Sequence, residues 1–188
     1  MNPQTQRNAQ LPKGSRLPNP EITLQEALRA AVEASQFLIG VSHDPSRALA
    51  IIEPYAEFEG LTGGSAEQVR CSRSIVCSVV ADCHKALGDY RTSANWYRRA
   101  SGYLKRGGFP SEYAELVVNH ELADHYENAL ECMRVNRDWW RSQPLLVRLH
   151  GHLVSRWWLY PSGWKMRFRE RSLISELESL IAERNVER

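Results

Sequence analysis

The chain has 188 residues, of which 43% are hydrophobic and 24% are charged, and its formal net charge is +2. This length suits one domain with a sizeable core, and the small net charge gives no overall field favouring nucleic acid or membrane. No apolar stretch approaches the roughly 20 residues that span a bilayer, and residues 1–20 lack the apolar segment of a secretory signal. Four cysteines without an export signal predict reduced thiols in a cytoplasmic protein.

The N-terminal region separates from the rest by composition. Residues 1–20 hold four prolines and three basic residues without an acid, which predicts a flexible basic arm. Helix-start signals follow at Thr23–Glu26 and Ser65–Gln68, which both spell a capping box, and at Asp44-Pro45 and Pro110. Strict apolar/polar alternation between hairpin turns is absent from the sequence, whereas apolar residues recur at helical spacing. The predicted fold class is all-α.

A repeated pattern links three parts of the chain. The stretch "ALGDYRTSANWYRRASGYL" contains Gly88, Tyr90, Ser93, Tyr97 and Ala100. A shift of 36 residues forward gives Asp124, Tyr126, Ala129, Met133 and Asn136, and a shift of 45 residues back gives His43, Pro45, Ala48, Ile52 and Tyr55. Each copy has a small residue four positions before a large one, a spacing that lets two helices approach closely. The period therefore predicts a series of helical hairpins.

On these residues the chain resembles the tetratricopeptide repeat family, best over 74–107, where "LGDY" carries the inter-helix glycine and the following tyrosine. Residues 110–143 and 29–62 resemble degenerate copies of the same repeat. The resemblance implies stacked antiparallel helical hairpins that form a right-handed superhelix, with three hairpins over 21–143. It also implies a concave surface, lined by the first helix of each hairpin, that holds a peptide or helix of another protein.

The repeat register carries the family's concave positions onto this chain. The predicted partner-binding residues are Phe37, Ser78, Asp82, Lys85, Val118 and Glu121, with Glu33 and Ala114 at further concave positions. These are mostly acidic, apolar or small, and only Lys85 suits the family members that clamp a C-terminal carboxylate. We therefore expect a basic or apolar partner and a non-catalytic scaffold, adaptor or chaperone-like role. The length and three-hairpin layout also resemble the repeat-type chaperones of type III secretion.

Residues 144–188 form a third segment with an unusual composition. We predict a helix over 145–159, a break at "YPSGW", and a last helix over 165–186. Aromatic and basic residues concentrate here, including the set Arg156, Trp157, Trp164, Lys165, Arg167 and Arg169. The favoured interpretation is a pair of capping helices that closes the repeat stack. A protein-binding or self-association patch is the second interpretation, and a nucleic-acid or lipid contact is the third.

The sequence leaves two alternatives to a protein-binding function. An RNA-binding helical repeat is the first, because "YRRASGYLKRGGFP" resembles pentatricopeptide repeats and the C-terminal segment is basic and aromatic. An enzyme with dispersed catalytic residues is the second. The sequence shows no catalytic motif for it: the histidines of "HELADH" are five apart rather than the four that a zinc motif needs. The cysteines form no CxxC pair, and "GLTGGS" lacks the lysine of a phosphate-binding loop. The sequence thus predicts no catalytic residue, no metal and no cofactor.

Charge is unevenly distributed in the middle of the chain. Residues 90–111 carry five basic residues and no acid, and residues 112–131 carry six acids and no lysine or arginine. The favoured interpretation is that adjacent helices form modest ion pairs across these segments. The other is a bipolar surface that orients a partner.

Overall fold

A computed structural model of the chain describes residues 24–57, 65–104, 109–147 and 162–186. Within these ranges the chain is all-helical and has no strand, as predicted. The helices are α1 (Leu24–Gly40), α2 (Pro45–Ala56), α3 (Ala66–Ala86), α4 (Tyr90–Tyr103), α5 (Pro110–Asn119), a 3-10 turn (Ala123–His125), α6 (Tyr126–Ser142) and α7 (Ser162–Val186).

Side-chain caps fix where three of these helices begin. The Asp44 side chain accepts a hydrogen bond from the Arg47 amide at 3.0 Å, and Pro45 opens α2. At the start of α3 both bonds of the capping box form, between Ser65 and Gln68. Both caps satisfy backbone amides that have no partner inside the helix. These predicted starts are confirmed, whereas Thr23 lies outside the described residues.

The turn between α3 and α4 depends on a glycine. Gly88 has φ +81°, in the left-handed region that residues with a Cβ adopt at a cost. Its amide donates to the Lys85 carbonyl at 3.1 Å, and the following Asp89 caps α4 by accepting from the Thr92 amide at 3.2 Å. The glycine of "LGDY" therefore reverses the chain between two packed helices.

The helices pack in chain order, each against the next from α1 to α6, and α6 against α7. Some helices that are not consecutive in the chain also contact each other: α1 contacts α3, and α5 contacts α7. The small and large residues of the repeated pattern lie in these contacts, and all six are at most 1% exposed: Ala48, Ile52, Ser93, Tyr97, Ala129 and Met133. Close approach is also visible in hydrogen bonds, since Ser93 Oγ donates to the Ala81 carbonyl at 2.8 Å and Ser74 Oγ to the Ala100 carbonyl at 2.9 Å.

The buried side chains form two apolar clusters. The first joins α1, α2 and α3 around Ile52 and Val80, and the second joins α3 to α7 around Tyr97, Tyr113 and Leu177. Trp96 of α4 is partly buried and packs against both clusters. The hydrophobic interior thus runs along the stack of helices.

The C-terminal segment differs in detail from the prediction. The last helix begins at Ser162, three residues before the predicted start at 165. Leu173 and Leu177 of this helix are buried in the second apolar cluster, and the helix contacts α5 and α6. Residues 145–147 are helical, while the rest of the predicted helix over 145–159 and the predicted arm 1–20 lie outside the described residues.

Candidate binding surface on the first helices

Over residues 74–83, helix α3 is buried except at Ile75 and Asp82, which lie on one face of the helix. The residues of the stripe on this face are spaced by four and three positions: Cys71, Ile75, Ser78, Asp82 and Lys85. Ile75 is 42% exposed, Lys85 is exposed, and Cys71 and Asp82 are half-buried. Three predicted partner-binding residues therefore share one surface stripe, which we call the α3 stripe.

Ser78 lies at the bottom of the α3 stripe. It is only 5% exposed, and its hydroxyl donates to the Ile75 carbonyl of the preceding turn at 2.8 Å. A hydroxyl held in this way is already satisfied by its own helix. Ser78, predicted to bind a partner, therefore offers little surface to another molecule.

Asp82 is held by a tyrosine from the neighbouring helix. The Tyr97 hydroxyl of α4 donates to the Asp82 carboxylate. Burial raises the pKa of Asp82 above its ordinary value, and the hydrogen bond from Tyr97 and the charge of Lys85 oppose that rise. The pKa of Tyr97 is raised in turn, first by burial and then by Asp82, with smaller contributions from the carboxylates of Glu112 and Glu115. Three carboxylates from α3 and α5 thus raise the pKa of one buried phenol, and one of them, Asp82, is hydrogen-bonded to it.

Two apolar side chains at the C-terminal end of α1 are also exposed. Phe37 is 57% exposed and Val41 at the end of the helix is 63% exposed, although α1 packs directly against α3. Phe37 lies on the side of α1 opposite to its buried residues Leu28, Ala31 and Ser35. A phenylalanine that is not used by the core is available for contact with another molecule.

Helix α5 contributes fewer residues to the candidate binding surface than the repeat register predicts. Val118 and Glu115 are half-buried and lie one turn apart on one face, beside the acidic group described above. Ala114, expected at a concave position, is fully buried in the second cluster. Glu121 is exposed but lies in the turn after α5, with φ +50°. Since α5 has 10 residues and α3 has 21, a register taken from one helix cannot be carried along the whole of the other.

The predicted secondary patch is described only at its end. Arg156 and Trp157 lie outside the described residues, and Trp164, Lys165 and Arg167 belong to the first turns of α7, where side chains are not described. Arg169 is exposed, and its Nε lies 2.6 Å from the Glu115 carboxylate. The C-terminal helix therefore touches the acidic edge of α5 through an arginine.

The segregated charges of the middle segments meet at one described ion pair, in which Arg91 lies 3.0 Å from Asp124. Both side chains are more than half exposed, so this pair contributes at most about 1 kcal/mol. Arg99 forms an ion pair outside these two segments, because its Nη1 lies 2.7 Å from the Glu57 carboxylate. Among the described residues, the ion pairing between the two segments is therefore modest.

The histidines of "HELADH" occupy separate structural positions. His120 stacks on Tyr90 with ring centroids 3.4 Å apart, and His125 is buried with its Nδ1 2.6 Å from the Tyr113 hydroxyl. No group of three His, Cys, Asp or Glu arranged to hold a metal occurs among the described residues. Burial raises the pKa of Cys77 to about 11 and that of Cys83 to about 12, so these thiols stay protonated.

Sequence reasoning missed Ile75 and Val41 as surface residues. An isoleucine within a helix, or a valine directly after one, is typical of a core, and each lies near other apolar residues. A signal was nevertheless present for Ile75, because it precedes Ser78 and Asp82 by three and seven positions and therefore shares their face.

Comparison with known proteins adds no relative. Within the described ranges no helix is both long enough and apolar enough to cross a bilayer. No protein-family model, curated protein or solved structure matches the chain.

Proposed function

We propose that the chain is a non-catalytic cytoplasmic adaptor or chaperone-like scaffold that binds a peptide or helix of another protein across α1 and α3. The observation that carries the proposal is the α3 stripe: within the otherwise buried stretch 74–81 of α3, Ile75 is 42% exposed, and Phe37 of the adjacent helix α1 is 57% exposed. Large apolar side chains that the core does not use are typical anchors of a protein interface.

The helical arrangement supports a tetratricopeptide-like stack as part of this proposal. Successive helices pack in order, and the first helices α1 and α3 lie side by side. In such a stack the first helices line the inner surface, where an extended peptide or a helix is held along several repeats. The right-handed superhelix is the arrangement we propose for the three hairpins.

The charges favour a partner that is apolar and basic. The carboxylates of Asp82, Glu112 and Glu115 all raise the pKa of Tyr97, and the cations Lys85 and Arg169 offset part of this negative charge. An arginine or lysine next to an apolar anchor would pair with these carboxylates while the anchor packs on Ile75 and Phe37. Charge complementarity of this kind sets orientation and encounter rate more than affinity.

The test is affinity capture from native extract with matched surface variants of the full chain. Phe37→Glu and Ile75→Glu place a carboxylate where an apolar anchor should pack. The control Asn95→Glu adds a carboxylate on the exposed side of α4. We expect the first two to lose a partner that wild type and Asn95→Glu retain. Loss of an anchor contact commonly costs 2 kcal/mol or more, or roughly 30-fold in affinity.

The outcome is decided with a synthetic peptide from the captured protein. Weaker peptide binding by Ile75→Glu than by Asn95→Glu supports the proposed surface. Equal binding by all variants contradicts it. Loss of capture after nuclease treatment alone favours the RNA-binding alternative, whose proposed aromatic and basic residues centre on the C-terminal segment.

A further inference from the structure

A groove runs between α6 and α7, away from the surface described above. Its volume is about 470 Å³, and apolar side chains form its floor: Leu130, Val135 and Ile181. The two helices run antiparallel, because Glu127 at the start of α6 pairs with Arg184, whereas Arg134 further along pairs with Glu178 at 2.8 Å. The groove is open to solvent along α6.

The charged residues on the α6 side of the groove are arranged symmetrically. Positions equally far from the centre of the pattern carry opposite charges. Glu131, Arg134, Asp138 and Arg141 follow one another at spacings of three, four and three, on one face of the helix. About a midpoint at Asn136, Glu131 is placed symmetrically with Arg141, and Arg134 with Asp138. Each acidic residue is thus matched by an arginine at the same distance on the other side of Asn136.

The outer members of this pattern are not used within the chain. Among the described residues Glu131 has no ion pair, and Arg141 meets only Asp138 of its own helix, at 3.8 Å with both side chains about two-thirds exposed. Val135, next to the midpoint, is 37% exposed. Just beyond the helix, Leu145, Leu146 and Val147 are exposed by 66%, 79% and 47%.

We propose that the occupant of this groove is α6 of a second copy of the chain, antiparallel to the first, with a two-fold axis near Asn136. In that arrangement Glu131 of each copy faces Arg141 of the other, and Arg134 faces Asp138. A two-fold interface must be self-complementary, and the pattern on α6 meets this condition. Two antiparallel α6–α7 pairs joined in this way form a four-helix bundle.

The charges fix the register, and the apolar residues supply the association energy. Exposed ion pairs contribute little each, whereas removal of Val135 and the exposed residues 145–147 from water is favourable in proportion to the area buried. The dimer is therefore concentration-dependent, and it does not use Phe37 or the α3 stripe.

The test is the solution mass of the full chain, measured by sedimentation equilibrium over a wide concentration range. Wild type is expected to rise from 21.6 kDa towards twice that mass. Glu131→Arg sets arginine against arginine at two places in the dimer, and Arg141→Glu sets carboxylate against carboxylate, so each variant alone should dimerise more weakly than wild type. An equimolar mixture of the two variants restores every pair and should recover the dimer.

Controls separate this interface from general charge effects. Glu53→Arg makes the same change at an exposed position on α2 and should dimerise like wild type. Circular dichroism melting checks that each variant is folded. A wild type that stays monomeric at every concentration overturns the proposal and leaves the groove to a different occupant. A Glu131→Arg variant that dimerises as tightly as wild type, or a variant mixture that dimerises no more tightly than either variant alone, also overturns it.

Discussion

The hydrogen bond between Tyr97 and Asp82 joins the core to the candidate surface, and its removal has a calculable consequence. Tyr97→Phe deletes the hydroxyl and leaves the ring in place. A hydrogen bond to a charged group contributes about 1.5–3 kcal/mol. We expect the lower part of that range, about 1.5–2 kcal/mol, because the half-buried Asp82 carboxylate regains some contact with water. For a chain of this length the change lowers Tm by about 3–8 °C.

The expected pH dependence follows from the direction of the Asp82 pKa shift. Burial raises this pKa above 3.8 in the folded chain, so the group's contribution to stability is fully present below 3.8 and decreases as pH rises through the folded value. The Tyr97 hydroxyl limits that rise. Without it the folded pKa moves higher, and the stability difference between Tyr97→Phe and wild type should be larger at neutral pH than near pH 4.

The assay is thermal unfolding of wild type and three variants at neutral and acid pH. Asp82→Asn keeps an acceptor for the tyrosine hydroxyl and should cost less than Tyr97→Phe. Tyr90→Phe is the matched control, since that ring stacks on His120 without a described hydrogen bond from its hydroxyl. Equal Tm values for Tyr97→Phe and Tyr90→Phe would refute the reasoning, as would a loss for Tyr97→Phe that does not change with pH.

Three further predictions follow from the core and the titrating groups. Leu177→Ala removes a fully buried side chain between α5, α6 and α7 and should lower the free energy of unfolding by about 2–5 kcal/mol, measured by urea denaturation; a loss below 1 kcal/mol would contradict the packing of α7. Burial lowers the pKa of His125 below 6.5, so stability should fall as pH decreases below 6.5, and a slope unchanged in His125→Gln would exclude this histidine as its source. Iodoacetamide should modify the half-buried Cys71 before Cys77 and Cys83, with mass spectrometry of peptides as the readout; faster labelling of Cys83 would show that α3 opens locally.

Local signals in the sequence identified several structural features correctly. The capping residues Asp44 and Ser65 and the turn at Gly88 depend on backbone hydrogen bonds or dihedral angles within four residues, so a short stretch contains all the information. The repeated small–large pairs are nearly as local, because a spacing of four places both residues on one helix face. Ser93 and Tyr97 are buried for this reason.

Features that depend on distances between helices were not predictable in the same way. Ala114 is in the core and Glu121 is in a turn because α5 ends at Asn119, and the length of that helix has no counterpart in the pattern taken from α3 and α4. The exposure of Ile75 depends on which side of α3 the neighbouring helices leave open, and an apolar residue alone does not indicate this.

Trp96 packs against both apolar clusters, so the two halves of the stack share a hydrophobic contact in the middle hairpin. Neighbour-to-neighbour contacts of this kind allow one end of a helical array to open while the other stays folded. The candidate surface crosses the same boundary, since Phe37 belongs to α1 and Val118 packs against the second cluster. A ligand held by both residues would connect the halves by a second route, because binding free energy is lost when either half opens. Partner binding would then change the order in which the molecule comes apart, from one end at a time to both ends together.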